Sequence, residues 1–143
     1  MMPLPPARPH RPASGEPMSL PPVEEFLLLA SVHTNLLLEG QEPQLDAVLD
    51  VLVPRLSRPV TTWSQGILVP GVDRGTLIVP KVDRLDDDQQ RQLVHWLEKT
   101  AGSVRVIATT SVSLFALVQR GSFLDRLYYL LNIIRLEFPA HLP

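Results

Sequence analysis

The strongest constraint on this chain is an alternation. Five short apolar runs are separated by longer stretches with helical spacing. The runs are Asn35–Gly40, Pro59–Trp63, Thr76–Val79, Val104–Thr109 and Ile133–Phe138. They are too short for stable helices and too apolar for a sheet with a wet face, so they predict buried parallel strands. Between them, Leu45, Val48, Leu49, Leu52 and Val53 predict a helix over Pro43–Leu56. Leu93, Trp96 and Leu97 predict another over Asp86–Lys99. Ser111 is expected to cap a helix ending at Arg120 before Gly121, and Ser122–Leu131 to form the next. A parallel five-stranded sheet with helices on both faces follows. Ser64–Gly75 is the weak link, because twelve residues is near the minimum for a parallel crossover and no helix is evident there.

Proline placement sets the boundary. Eight of the 15 prolines lie between Met1 and Pro22, among few large apolar side chains. Such a stretch buries too little surface to offset ordering, so residues 1–21 read as a disordered tail and 22–143 as the domain. A signal peptide would need an apolar core that these prolines interrupt. A proline-rich ligand for another domain is the other reading of this stretch. Met18 is an alternative start. Pro22–Ala30 then reads as a short helix, with Pro at its first position and Glu24 and Glu25 in its first turn.

Net charge is −2 and the pI about 6.0, which argues against direct DNA binding. The absence of cysteine excludes disulfides and thiolate zinc sites. No apolar run approaches the ~20 residues of a membrane span. The expected location is cytoplasmic.

A phosphate loop would lie after the first strand, with the pattern G-x-x-x-x-G-K followed by Ser or Thr. Counting from Gly40, the second glycine falls on Leu45, the lysine on Asp46 and the hydroxyl residue on Ala47. Leu45 carries a Cβ where backbone must approach phosphate, Asp46 repels it, and Ala47 offers Mg²⁺ no oxygen. His10, His33, His95 and His141 lack metal-ligand spacing. Asp86, Asp87 and Asp88 suit a helix start better than a metal cluster.

Three segments carry a family resemblance. They are Gly75–Val82, Arg105–Ser111 and Gly121–Ile134, the last reading GSFLDRLYYLLNII. In order and spacing they resemble the AAA+ domain of sigma-54-dependent transcription activators, whose patterns are GGTLFLDEI, RVIAATN and GRFREDLYYRLNVV. The resemblance runs from about Val23 to Pro139. It implies a three-layer AAA+, P-loop-NTPase-like core in bacterial transcription regulation. It also implies that the Mg²⁺- and water-organising acids are replaced by Pro80 and Lys81, and the sensor asparagine by Ser111. The two arginines that act across subunits match Leu124 and Leu130. The GAFTGA loop that contacts sigma factor would fall within Ser64–Gly75, which holds nothing like it. The chain also stops short of the family's helical lid and its DNA-binding helices. Gly75, Phe123, Leu127, Leu131 and Asn132 match as packing scaffold.

The expectation is therefore a module that is not an ATPase, has no cofactor and works through an unidentified protein partner, with self-association as one form of that contact. The alternative is a domain that binds nucleotide or another small ligand at the strand ends without hydrolysis, with Gln41, Glu42, Gln44 and Ser111 available to line it. The nucleotide-site positions are Gly40, Leu45, Asp46, Ala47, Pro80, Lys81 and Ser111. Leu124, Tyr128, Tyr129 and Leu130 read as an exposed apolar interface, or, for Leu124 and Leu130, as filling the core of a domain smaller than the family's.

Overall fold

A computed structural model describes residues 34–63, 71–100 and 102–138. The expected tail, the helix at Pro22–Ala30 and most of the Ser64–Gly75 connection lie outside these residues. The strands are β1 (Leu36–Gly40), β2 (Val60–Thr62), β3 (Gly75–Val79), β4 (Val104–Thr110) and β5 (Ile134–Phe138). They form one parallel sheet in the order β2-β3-β4-β1-β5. The helices are α1 (Glu42–Leu52), α2 (Asp87–Lys99), α3 (Leu114–Gln119) and α4 (Asp125–Leu131).

Alternation along the strands sends side chains to two cores. Leu36, Leu38, Ile78, Ile107 and Phe138 meet Leu45, Val48 and Leu52 of α1. Leu37, Leu77, Val79, Val106 and Ala108 meet Leu93 and Leu97 of α2, Leu114 of α3, and Leu127 and Leu131 of α4. The central strands are covered on both sides, which is why they read as unbroken apolar runs.

Three helix boundaries differ from expectation. α1 stops at Leu52 and gives way to a 3₁₀ turn over Val53–Arg55, because Pro54 has no N–H to continue the ladder. Ser113, not Ser111, caps α3: its hydroxyl accepts the Ala116 N–H at 3.2 Å. Ser111 lies instead in the turn between β4 and α3, where the Thr110 hydroxyl accepts the Val112 N–H at 3.2 Å. α4 begins at Asp125 rather than Ser122. Gly121 takes a φ of +77°, and the Ser122 N–H bonds the Leu117 carbonyl at 2.8 Å, so Gly121–Leu124 is a reversal. At α2 the helix-start reading of the aspartates holds. Asp86 accepts from the Gln89 N–H at 2.8 Å, and the Gln89 side chain accepts from the Asp86 N–H at 3.0 Å.

Two side-chain amides fasten the layers. Asn35 donates to the Leu130 carbonyl at 2.9 Å and accepts the Val106 N–H at 2.9 Å, tying the entry to β1 to both β4 and α4. Gln90, 1% exposed, donates to the carbonyls of Leu85 at 3.0 Å and Ser122 at 3.3 Å. Its oxygen accepts the Leu124 N–H at 2.8 Å. Gln90 thus sets where α4 starts. Gln90→Ala leaves buried backbone groups unpaired and is expected to cost about 2–3 kcal/mol in urea unfolding. A loss under about 0.5 kcal/mol would contradict this role.

Candidate functional site

The strands' C-terminal ends open into a cleft of about 130 Å³ lined by Glu42, Leu45, Asp46, Leu49, Pro80, Lys81, Thr109, Thr110 and Ser111. Five residues expected there from the sequence meet in it: Leu45, Asp46, Pro80, Lys81 and Ser111. Gly40 and Ala47 are not in the lining. Gly40 serves the sheet: a Cβ there would stand 3.0 Å from the Phe138 Cβ and 3.1 Å from its carbonyl oxygen. Of the residues considered for a ligand crevice, Glu42 and Ser111 line it. The buried Gln44 folds back instead, its oxygen accepting the Gln41 N–H at 3.1 Å.

The joint between β1 and α1 shapes the cleft. Only Gln41 separates the strand from the helix. Glu42, Pro43, Gln44 and Leu45, which would have to form an open loop around a phosphate, are wound into the first turn of α1. Pro43 favours this, since its fixed φ suits a helix start. Glu42 supplies the negative charge that a helix N-terminus attracts. Its carboxylate lies 3.6 Å from both Lys81 Nζ and Arg84. All three side chains are about half exposed, so the cluster is worth little in stability, but it spans the cleft from α1 to the end of β3.

Lys81 holds the left-handed conformation, φ +53°, a turn normally left to glycine or asparagine. Its N–H donates to the buried Thr109 hydroxyl at 3.2 Å. Behind it, the Thr110 hydroxyl donates to Asp83 at 2.9 Å. β3 therefore turns away from the cleft through fixed bonds, with Pro80 and Lys81 as its last side chains.

Sequence reasoning missed a second charged group, at the C-terminal ends of β1 and β5. Glu39, near the end of β1, is 9% exposed. Arg135 lies 3.3 Å from Glu39 and 2.9 Å from Glu137. Burial pushes the Glu39 carboxyl above the usual carboxylate range, and Glu137 adds to this, against Arg135 and the Leu114 N–H. A charged residue closing an apolar strand was the available signal.

The expected apolar interface needs correction. Tyr128 is buried, 8% exposed, because helical spacing sets it only about 60° from the core residue Leu131 and the Phe115 ring covers it. Leu124 and Leu130 are partly buried against the same core. Tyr129 alone of the four is exposed, at 66%. The exposed apolar residues near it are ones the sequence did not single out. Phe115 of α3 packs on Tyr128 with ring centroids 6.2 Å apart, and Tyr128 on Tyr129 at 5.5 Å. Val112, Phe115 and Ile133 are exposed as well.

The sigma-54 interaction domain family matches residues 32–141, and the chain belongs to that family. It shares the AAA+ architecture of sigma-54-dependent activators, a class of bacterial transcription regulators. Nitrogen fixation protein AnfA of Azotobacter vinelandii is 35% identical over 78 residues, covering 47% of this chain and 15% of AnfA. NtrX from Brucella abortus superposes with a TM-score of 0.68 at 16% identity, over 82% of this chain and 36% of NtrX. The P-loop NTPase domain of the sigma-54 transport activator from E. coli gives a TM-score of 0.59 at 16% identity, over 82% of this chain and 92% of that domain. At that identity the structures show a shared fold. The chain spans only a small part of AnfA and about a third of NtrX. Among the described residues, no helix is long and apolar enough to cross a membrane.

The raised Glu39 pKa has a definite sign. Between its ordinary and raised values the folded state holds more protons than the unfolded one, so stability falls as pH rises through that window. Glu39→Gln should flatten this slope. Its melting temperature relative to the native protein is expected to be more favourable at neutral pH than just above the ordinary glutamate range. The opposite trend would show that Arg135 dominates.

Proposed function

We infer that this chain is a non-catalytic AAA+-like module of bacterial transcription regulation that works through protein–protein contact. The observation that carries this reading is the joint at Gln41. Where a magnesium nucleotide needs an open backbone cradle, the chain has a closed helical turn. Where the phosphate charge would sit, it has the carboxylate of Glu42, held between Lys81 and Arg84. Asp46 adds a second negative charge to the cleft.

The cleft does not fit a magnesium nucleotide. Pro80 and Lys81 stand where the family resemblance places the acids that organise the metal and water. Leu124 and Leu130 stand where it places cationic side chains from the adjoining subunit, and both pack against the core. Lys81 is the only cation at these four positions, and it is paired with Glu42; the metal-organising acids and both arginines on which phosphoryl transfer relies are absent from them. A cleft of about 130 Å³ is also below the ~300 Å³ at which small-molecule pockets begin. That weighs against the alternative of ligand binding without hydrolysis.

What the fold retains is a rigid platform and an exposed aromatic face at Phe115 and Tyr129. The partner class is a protein that meets this face. The electrostatics give no basis for direct DNA contact.

The expected result is no ATP hydrolysis, and no heat of MgATP binding in calorimetry at millimolar concentrations. Micromolar binding without turnover would replace this reading with a ligand-binding one. Turnover would end both.

A further inference from the structure

The aromatic face between α3 and α4 lies beside the point where the N-terminal segment joins the fold. Phe115 is 49% exposed and Tyr129 66%, with the buried Tyr128 ring between them as a floor. The entering chain is pinned at its edge: Asn35 donates to the carbonyl of Leu130, the residue after Tyr129, at 2.9 Å. Thr34 is held too, its carbonyl accepting from the buried Arg105 at 2.8 Å. Thr34 and Asn35, the first described residues, are therefore bonded to the fold, Asn35 one residue from Tyr129.

The N-terminal segment has a pattern suited to such a face. Pro3, Pro6, Pro9 and Pro12 recur every third residue. A polyproline II helix has three residues per turn, so in that conformation these four prolines would share one edge. One turn advances about 9 Å, and the two exposed rings, joined through Tyr128, lie at most about 12 Å apart, so an edge of four prolines is long enough to cover both. Aromatic surfaces recognise polyproline segments in this way, because the helix brings little ordering cost and lays its proline rings on the aromatic faces.

Reach is not limiting. The 21 residues from Ala13 to His33 span roughly 25 Å even at flexible-coil dimensions. Tethering at that length raises the local concentration of the proline segment to the millimolar range.

We propose that the Phe115–Tyr128–Tyr129 face is a polyproline-binding surface and that its occupant is this chain's own Pro3–Pro12 segment, bound intramolecularly. This rests on the reading of that face as a contact surface. It makes the proline segment a built-in competitor for whatever protein meets the face.

The 143-residue chain has no cysteine, so Ala7→Cys in it gives one site for a nitroxide label. The measurement is the loss of NMR intensity at the rings of Phe115, Tyr128 and Tyr129. These rings are expected to lose most of their intensity in dilute solution, while groups in the core on the other side of the sheet, such as Leu52, keep theirs. Replacing Pro3, Pro6, Pro9 and Pro12 with Ala in the labelled chain should restore the rings. Unchanged rings, or broadening that survives those replacements, would overturn the proposal. Broadening of unlabelled chains mixed with labelled ones would assign the contact to a second copy and overturn the intramolecular form. Broadening from a label at Ala30 but not at Ala7 would assign the face to the apolar Phe26–Leu29 stretch instead. None of these outcomes depends on the nucleotide measurement, so the two readings fail separately.

Discussion

The single-residue joint between β1 and α1 governs the rest of the structure. Gly40 ends the strand with no Cβ, so β1 lies close against Phe138 of β5. The chain then enters α1 after Gln41 alone. Once Pro43 and Glu42 commit this stretch to a first helical turn, no loop remains to wrap an anion. The end of β3 follows the same logic. Lys81 turns through a left-handed conformation fixed by Thr109, and its ammonium group reaches the Glu42 carboxylate across the cleft. The protein meets the charge preference of a helix N-terminus with its own carboxylate.

Side chains that bridge layers do the remaining positioning. Gln90 fixes the reversal that ends at Leu124. Helical spacing then sets Tyr128 about 60° from the core residue Leu131 and Tyr129 about 160° from it, so the first is buried and the second exposed. The exposed face that results is aromatic and small, shared between two short helices.

Much of this was legible in the sequence. All five strands fall where the sequence runs predict; β1, β3 and β4 are doubly covered, which leaves a signal that needs no tertiary knowledge, whereas the edge strands β2 and β5 are only partly buried, contrary to the expectation of five buried strands. Leu45, Asp46, Pro80, Lys81 and Ser111 were identified as one site from spacing and resemblance, and they meet at one cleft. What stayed hidden depended on contacts distant in sequence. Ser111 and Ser113 are equally good caps on paper, and the turn held by Thr110 decides between them. The start of α4 is set by Gln90, 34 positions before Leu124. Phe115 carries no periodic signal in so short a helix, and only the fold brings it beside Tyr128.

The most direct test of the central claim, that the β1–α1 joint and the end of β3 together keep nucleotide out of an intact AAA+ fold, is reversal. The seven changes Glu42→Gly, Pro43→Ser, Leu45→Gly, Asp46→Lys, Ala47→Thr, Pro80→Asp and Lys81→Glu undo the helix start, restore the phosphate loop and the metal-organising acids, and leave Asn35 and Gln90 in place. MgATP affinity should be measured by calorimetry for this variant and the native protein side by side. The reverted chain is expected to bind at least about tenfold more tightly, or about 1.4 kcal/mol, than the weakest affinity the measurement detects, while the native protein shows no binding. A native protein that binds as tightly as the reverted one would contradict that claim.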